Sequence, residues 1–445
     1  MKSPIFDFVK EYSEKDTVRL HMPGHKGKPF LGVENYDITE INGADSLYEA
    51  DGIIMESEKN ASEIFGCKTF YSTEGSSLSI RAMLYLACLY AKENGEKPLI
   101  LAARNAHKSF LSAAVMLDFD VEWIYPDENG SYLSCNISKE RLENILNKMS
   151  ANPTCLYVTS PDYLGNVLDI KGLSDVCKKH NILLLVDNAH GAYLKFLPDS
   201  LHPIDSGADL CCDSAHKTLG VLTGGAYLHI NNNAPEFFKE NAKTALSLFG
   251  STSPSYLILE SLDLFNCRAN TYKTDVENFI NKVLKLKNAL KNKGYSLIEK
   301  EPFKIAIDVK KYGYSGYSFA EILRKEKIEC EFADNDFVVL MLTPCISDSE
   351  LEYTEKVLTS IEKLPEITEK PPKITVLKKA LSPREAAFSK RESLPAEKCI
   401  GRILAFSSVG CPPAVPIVTS GEVIDENCIE NFRYYNIEHC IVVKE

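Results

Sequence analysis

Short, continuously apolar runs alternate with helical periodicity along most of this chain. Strands are expected at Thr69–Ser72, Leu99–Ala103, Val121–Tyr125, Cys155–Thr159, Ile182–Asp187, Asp209–Cys212 and Ala226–Ile230. Helical patterns fall between them, for example Leu78–Lys92 and Ile170–His180. A strand buried on both faces is apolar throughout rather than alternating, so the pattern predicts a mostly parallel sheet covered by helices on both sides. Ahead of it, a helix over about residues 4–12 leads into a polar stretch that runs to about residue 53. That stretch contains His21-Met-Pro-Gly-His25-Lys-Gly, too irregular for a helix and long for an idle connection.

After about residue 270 the period becomes strongly helical, with Val276, Phe279, Ile280, Val283, Leu284, Leu286 and Leu290 on one side and Gly294 as the stop. Strand Ile305–Val309, helix Ser318–Lys327, strand Phe337–Leu342 and helix Asp348–Leu364 follow. The charged, Pro-rich segment from Pro365 to Lys373 reads as a linker. The expected organisation is therefore an N-terminal segment plus a large domain over 1–270, a small α/β domain over 271–365, and a C-terminal domain over 375–445.

Composition adds bounds. A chain of 445 residues has room for two or three domains and a large core, and 44% apolar with 25% charged residues is ordinary for a globular protein. The net charge of -12 argues against a nucleic-acid partner, since no basic surface is concentrated anywhere. No run approaches the roughly 20 apolar residues of a membrane-spanning helix, and the first residues lack a signal-peptide pattern. The 14 cysteines are scattered without a C-x-x-C pair, which fits reduced thiols in a cytoplasm, and adjacent Cys211 and Cys212 read as small core residues.

The chemistry concentrates at strand ends. Asp187 closes the run Ile-Leu-Leu-Leu-Val-Asp, at the carboxyl end of a buried strand, where open parallel sheets hold ligands. Alone it would be better read as a helix cap. Thirty positions on, Ser214-Ala-His216-Lys217 follows another apolar strand. A lysine and a carboxylate on neighbouring strand ends suit a pyridine aldehyde cofactor: the amine condenses with the aldehyde, and the carboxylate keeps the ring nitrogen protonated. Gly75, Ser76 and Ser77 lie between a strand and a helix, the place for a phosphate cradle built from a tight turn, hydroxyls and backbone N–H groups. His107, after the strand Leu99–Ala103, is either a surface histidine at a helix start or an aromatic plate against the cofactor ring.

With these parts in order, the chain resembles the ornithine/lysine/arginine decarboxylases of the aspartate-aminotransferase fold, in particular their short bacterial members. The matching stretches are His21-Met-Pro-Gly-His-Lys-Gly, Asp37-Ile-Thr-Glu-Ile-Asn-Gly-Ala-Asp-Ser-Leu, Gly75-Ser-Ser, Arg104-Asn-Ala-His-Lys-Ser, Thr159-Ser-Pro-Asp-Tyr-Leu-Gly, Val186-Asp-Asn-Ala-His-Gly-Ala, Ser214-Ala-His-Lys-Thr-Leu and Ser251-Thr-Ser-Pro-Ser-Tyr. They cover residues 15 to 265 densely and the remainder loosely. The resemblance implies a three-layer α/β/α pyridoxal-phosphate-transferase-like large domain, a smaller α/β domain and a small C-terminal α+β domain. It implies pyridoxal 5'-phosphate on Lys217, paired with Asp187 and stacked by His107. Ser76, Ser77, Ser214 and His216 would hold the phosphate, Ala189 would pack under the ring, and His190 would lie near the site. Thr252 and Ser253 would reach the cofactor phosphate of the partner subunit, which implies a homodimer with its site near the interface. The His21–Gly27 segment would line the entrance, and Pro23 and Gly24 there preclude the helical i,i+4 pairing that metal ligands often use.

The expected reaction is decarboxylation of arginine, lysine or ornithine to an amine and CO₂. The chain departs from the family's pattern in its last unit, where an expected acidic residue is absent near Ala405 and Ala414 replaces a glycine. Asn188 stands where many relatives have Glu, and Glu74 where many have Asn. These changes bear on substrate rather than cofactor. Two alternatives keep a place beside the leading one: an aminotransferase or lyase on another amino acid, and a non-catalytic regulatory relative.

Overall fold

The computed structural model describes residues 1–128, 130–407 and 415–445. Its strands are β1 (Lys68–Ser72), β2 (Leu99–Ala103), β3 (Asp120–Ile124), β4 (Cys155–Thr159), β5 (Leu183–Asp187), β6 (Leu210–Asp213) and β7 (Ala226–Ile230), then β8 (Ser296–Ile298), β9 (Lys304–Asp308), β10 (Phe332–Ala333), β11 (Phe337–Met341), β12 (Arg391–Pro395), β13 (Leu404–Phe406) and β14 (His439–Val443). The seven strands expected in the first 230 residues are all present, each within a residue or so of its expected ends. Contacts divide the chain into two compact units, residues 1–97 with 170–275 and residues 98–169 with 276–445.

In the first unit the strand order is β1-β7-β6-β5. Strands β5 and β6 run parallel, with Asp187 opposite Cys212, while β7 is antiparallel to both β6 and β1. The strands are buried almost throughout, which is why their sequences are unbroken apolar runs. The helix Gly75–Glu93 follows β1, starting three residues before the apolar periodicity predicts. The opening helix Pro4–Glu14 begins on a proline, and its first turn is held by Asp263, whose Oδ2 accepts the N–H groups of Ile5 and Phe6 at 2.9 and 3.0 Å.

In the second unit β2 lies between β3 and β4, parallel to both. The order β10-β11-β9-β8 forms an antiparallel sheet, and β12-β14-β13 forms another beside the helices Pro383–Phe388 and Glu426–Tyr434. The latter is the α+β arrangement expected of the last residues. One expectation needs correction: the helix placed after residue 270 begins at Tyr256 and runs 38 residues to Lys293. The polar stretch Arg268-Ala-Asn-Thr weakens the apolar period there, and burial of Leu259, Leu262, Phe265 and Tyr272 continues the helix through it. A second helix is shorter than expected, ending at Ser360 rather than Leu364.

Arg104, just past β2, anchors the C-terminal segment of this unit. Its guanidinium is fully buried and donates to the carbonyls of Pro416 at 2.8 Å and Ile417 at 2.7 Å, with Glu422 Oε2 at 3.3 Å. Glu422 also accepts from Tyr125 and from the Thr419 N–H. An arginine buried in this way is tolerated because both terminal nitrogens of its fork meet acceptors, one of them the Glu422 carboxylate. Replacing Arg104 by Met should cost about 3–5 kcal/mol, because the Glu422 charge is left buried alone. The double variant Arg104→Met/Glu422→Gln should recover much of that loss in denaturant unfolding; equal losses in the single and double variants would show that the ion pair is not what couples them.

Candidate active site

Strand pairing decides which side chains meet. Because β5 and β6 are parallel with Asp187 opposite Cys212, these two residues point to one face, and Cys212 Sγ lies 3.6 Å from Asp187 Oδ1. Asp187 is 2% exposed, and its Oδ1 also accepts the Ala189 N–H at 3.1 Å. One residue on, Asp213 points to the opposite face, as does Cys211, whose antiparallel partner on β7 is His229.

On that second face lies a network that sequence reasoning missed. Asp213 is wholly buried and accepts from His202 Nε2 at 3.0 Å, His229 Nε2 at 3.2 Å and Asn188 Nδ2 at 2.7 Å. His229 Nδ1 meets Thr69 Oγ1 at 2.9 Å. The network explains Asn188: a neutral donor is needed where a glutamate would set a second buried carboxylate against Asp213. The signal was present as the aspartate immediately before Ser214, but only the folded chain supplies its histidines.

Burial opposes the charge on Asp213, and His202 and His229 overcome it, holding its pKa far below the ordinary value. Burial likewise opposes the charge on His229, and Asp213 overcomes it, so that pKa is raised.

Lys217 lies in the single turn Ala215–Thr218 that follows β6, with its N–H donating to the Ser214 carbonyl at 3.1 Å. Its Nζ is 2.9 Å from His190 Nε2. The Ser214 hydroxyl donates to Ser76 Oγ at 2.8 Å, bringing the strand end and the start of the helix Gly75–Glu93 together. His216 Nδ1 is 3.0 Å from the Gly225 carbonyl, which can only accept, so Nδ1 carries the proton. Gly75 has φ +70, and its N–H donates to the Gly224 carbonyl at 2.7 Å. Gly224 itself, at φ +101, is a second residue that the sequence did not single out: a Cβ there would lie 2.7 Å from the Thr73 carbonyl oxygen.

Within the first unit, the fold therefore brings together Lys217 with His190 and Ser76 with Ser214, and sets Asp187 one strand away from β6. Gly75 and Ser77 flank Ser76 at the helix start, and Ala189 is half-buried beyond Asp187. Thr252 and Ser253 are not gathered into this cluster by any hydrogen bond given by the structure to Lys217 or Asp187; they are exposed in the bend before Tyr256. Glu74 accepts the Ser251 N–H at 2.5 Å, which accounts for a carboxylate at that position. In the second unit, His107 caps the helix Lys108–Leu117, its Nδ1 accepting the Ser109 N–H at 3.2 Å. The two histidines of His21–Gly27 are engaged locally, His21 Nε2 with Tyr12 at 2.7 Å and His25 Nε2 with Asp37 at 3.1 Å. Ala405 is buried on β13, while Ala414 lies outside the described residues.

The α/β fold that carries this lysine and buried carboxylate is shared with the lysine decarboxylase LdcF of Francisella novicida. That structure superposes with a TM-score of 0.80 at 16% identity, covering 99% of this chain and 81% of its own. The family model "Orn/Lys/Arg decarboxylase, major domain" matches residues 3–308, and the chain belongs to that family. It is 28% identical to a Bacillus subtilis protein named arginine decarboxylase, over 97% of this chain and 93% of that protein. It is also 27% identical to the constitutive lysine decarboxylase of Escherichia coli, over 58% of this chain and 39% of that one. Among the described residues, no helix is long and apolar enough to cross a membrane.

The Asp213 network sets a pH window for stability. A depressed carboxylate pKa contributes stability above roughly pH 4 that is lost as the pH falls, while a raised histidine pKa contributes stability below roughly pH 6.5 that is lost as the pH rises through its folded value. The melting temperature should therefore fall on both sides of mildly acidic pH. His229→Gln should flatten the alkaline limb, and Asp213→Asn should lower stability by about 3–5 kcal/mol by leaving the histidines without their acceptor charge. Thermal unfolding between about pH 2 and 9 checks both; an alkaline limb unchanged by His229→Gln would remove His229 from this account.

Proposed function

We propose that this protein is a pyridoxal-phosphate-dependent decarboxylase acting on a basic amino acid, arginine, lysine or ornithine. The single observation that carries the cofactor assignment is Lys217 beside His190, in the turn just after β6, the strand next to the one that ends in buried Asp187. Family membership and the names of the relatives support the reaction.

The residues present fit the cofactor. Gly75 has no side chain, and a Cβ on it would come no nearer than 4.0 Å to His216 Cε1, so the turn leaves room for a phosphate. Ser76 and Ser214 offer hydroxyls there, Ser77 lies next along the helix start, and the positive end of a 19-residue helix favours an anion. Asp187, taken out of water, would hold a proton on the pyridine nitrogen. Ala189 is small enough to pass under a ring. His107 keeps the stacking role given to it by the resemblance. When bound, pyridoxal phosphate supplies the sink for the electron pair left by loss of the α-carboxylate.

The chain's own work is to bind, orient and manage protons. Lys217 must be an unprotonated amine to condense with the aldehyde, and His190 Nε2 at 2.9 Å is placed to take the proton from Nζ. Orientation decides the bond that breaks, because only a bond perpendicular to the ring overlaps with its π system. Exposed Thr252 and Ser253 fit a role toward a second copy, so a homodimer is part of the proposal.

Lys217→Ala should abolish both amine and CO₂ release and the visible absorbance of lysine-bound pyridoxal while leaving the fold intact. Mixing the purified enzyme with arginine, lysine, ornithine and non-basic amino acids, and reading amine, CO₂ and keto acid together, tests the substrate class. Keto acid as the main product would favour an aminotransferase. Absence of any bound cofactor would favour a non-catalytic role.

Gly224→Ala should weaken pyridoxal phosphate affinity at least about tenfold, because the added Cβ must push the Thr73 backbone immediately ahead of the Gly75–Ser77 turn. Absorbance titration of the apoenzyme measures this. Unchanged affinity would show that the turn does not hold the phosphate.

A further inference from the structure

The second unit contains a cavity of about 240 Å³ that the proposed reaction does not use. A single water needs only about 10–15 Å³ measured in the same way, so there is room for a ligand of several heavy atoms. Five of its lining residues are aromatic (Tyr132, Tyr317, Phe332, Phe432 and Tyr435), and Asp334 is the carboxylate among them. They come from four separate parts of the sequence, brought together by the β10–β11 hairpin and by the packing of the C-terminal helix Glu426–Tyr434.

Asp334 is set up asymmetrically. Its Oδ1 accepts the N–H groups of Asp336 at 2.8 Å and Phe337 at 2.7 Å, which fixes the carboxylate plane. Its Oδ2 meets no hydrogen-bond donor among the described residues. Nearby Asp336, by contrast, is matched by Lys310 Nζ at 3.0 Å and by the Tyr434 hydroxyl. The hydroxyls of Tyr132, Tyr317 and Tyr435 likewise have no hydrogen-bond partner among the described residues.

Burial raises the Asp334 pKa to about 6, with Asp336 adding to the rise and the Phe337 and Asp336 N–H groups and Lys310 opposing it. The group is therefore mainly a carboxylate at neutral pH, at an energetic disadvantage that a cation against it would relieve. Tyr317 and Tyr435 both feel Asp334 and Asp336, which raise their phenol pKa values after burial does. Their hydroxyls thus stay neutral. Aromatic faces attract cations through their quadrupole, and a negative pocket repels carboxylates and phosphates. A bare metal ion needs several ligands at once, and although His439 and Cys440 also line the cavity, they form no metal-holding group with Asp334 among the described residues.

We propose that this cavity binds a small organic cation, an alkyl amine or alkyl guanidine, with its charged head against Asp334 Oδ2 and its aliphatic body along the aromatic wall. The inference stands on the cavity alone and does not require the decarboxylation reading.

The probes are agmatine and cadaverine, which carry no α-carboxylate to lose. They are titrated calorimetrically into the full chain after incubation with pyridoxal phosphate and borohydride, which blocks any reaction at Lys217. Saturable binding of at least one amine is expected, with pentanoate and 1-pentanol failing to bind. Asp334→Asn keeps the acceptor for the turn N–H groups and should weaken binding at least about tenfold. Tyr435→Leu, which removes a ring without touching that turn, should also weaken it severalfold, and provides the test should the first variant misfold. No saturable binding of either amine, or equal affinity in the wild type and both variants, would overturn the proposal. Amine release from substrate by the untreated enzyme reports on the catalytic reading separately, so either can fail without the other.

Discussion

One buried carboxylate underlies the geometry of the first unit. Asp213 closes β6, and its oxygens take hydrogen bonds from Asn188 just past β5, from His229 on β7 and from His202 in the intervening loop. Three adjacent strands are thereby tied at one point, on the sheet face opposite Asp187. A charge there is costly unless matched, so the carboxylate is a strict constraint: it holds only if β5, β6 and β7 keep this register. Lys217 follows four residues after Asp213, and Asp187 immediately precedes Asn188. The residues assigned to chemistry are thus held by neighbours whose own role is entirely structural.

The departures from the family pattern look different in that light. Asn188 and Glu74 are not isolated changes near a site. Asn188 is the uncharged donor that Asp213 requires, and Glu74 caps the Ser251 N–H in the loop that carries Thr252 and Ser253. Both are used in the framework around the site. Ala405, near which an acid was expected, is buried on β13, and Phe406 directly after it is half-exposed. A fully buried Arg104 reaches that same sheet region through Pro416, Ile417 and Glu422, so the stretch Arg104-Asn-Ala-His107 has a structural duty as well as the chemical one proposed for His107.

The strands were legible because burial on both faces makes their sequences uniformly apolar, and the motifs were legible because each follows such a strand. The helix Tyr256–Lys293 was read short because the first part of its apolar stripe is interrupted by polar residues, and only packing shows that Leu259, Leu262 and Phe265 lie inward. Gly224 escaped notice for a related reason. Its value lies in what a side chain would strike, the Thr73 carbonyl, which is 151 positions away in sequence and adjacent only after β1 and β7 pair.

The sequence by itself determined the strand–helix alternation and the family, and singled out Lys217, Asp187, Ser76 and Ser214 as the candidate set proposed to share one chemistry. These follow from local pattern, which the chain carries along its length. Tertiary structure decided which partner each residue meets: His190 for Lys217, the paired histidines for Asp213, and an aromatic wall for Asp334. Such pairings depend on strand register and on close approach between distant segments, and a hydrogen bond or a buried charge is sensitive to displacements of a fraction of an ångström that no local pattern encodes.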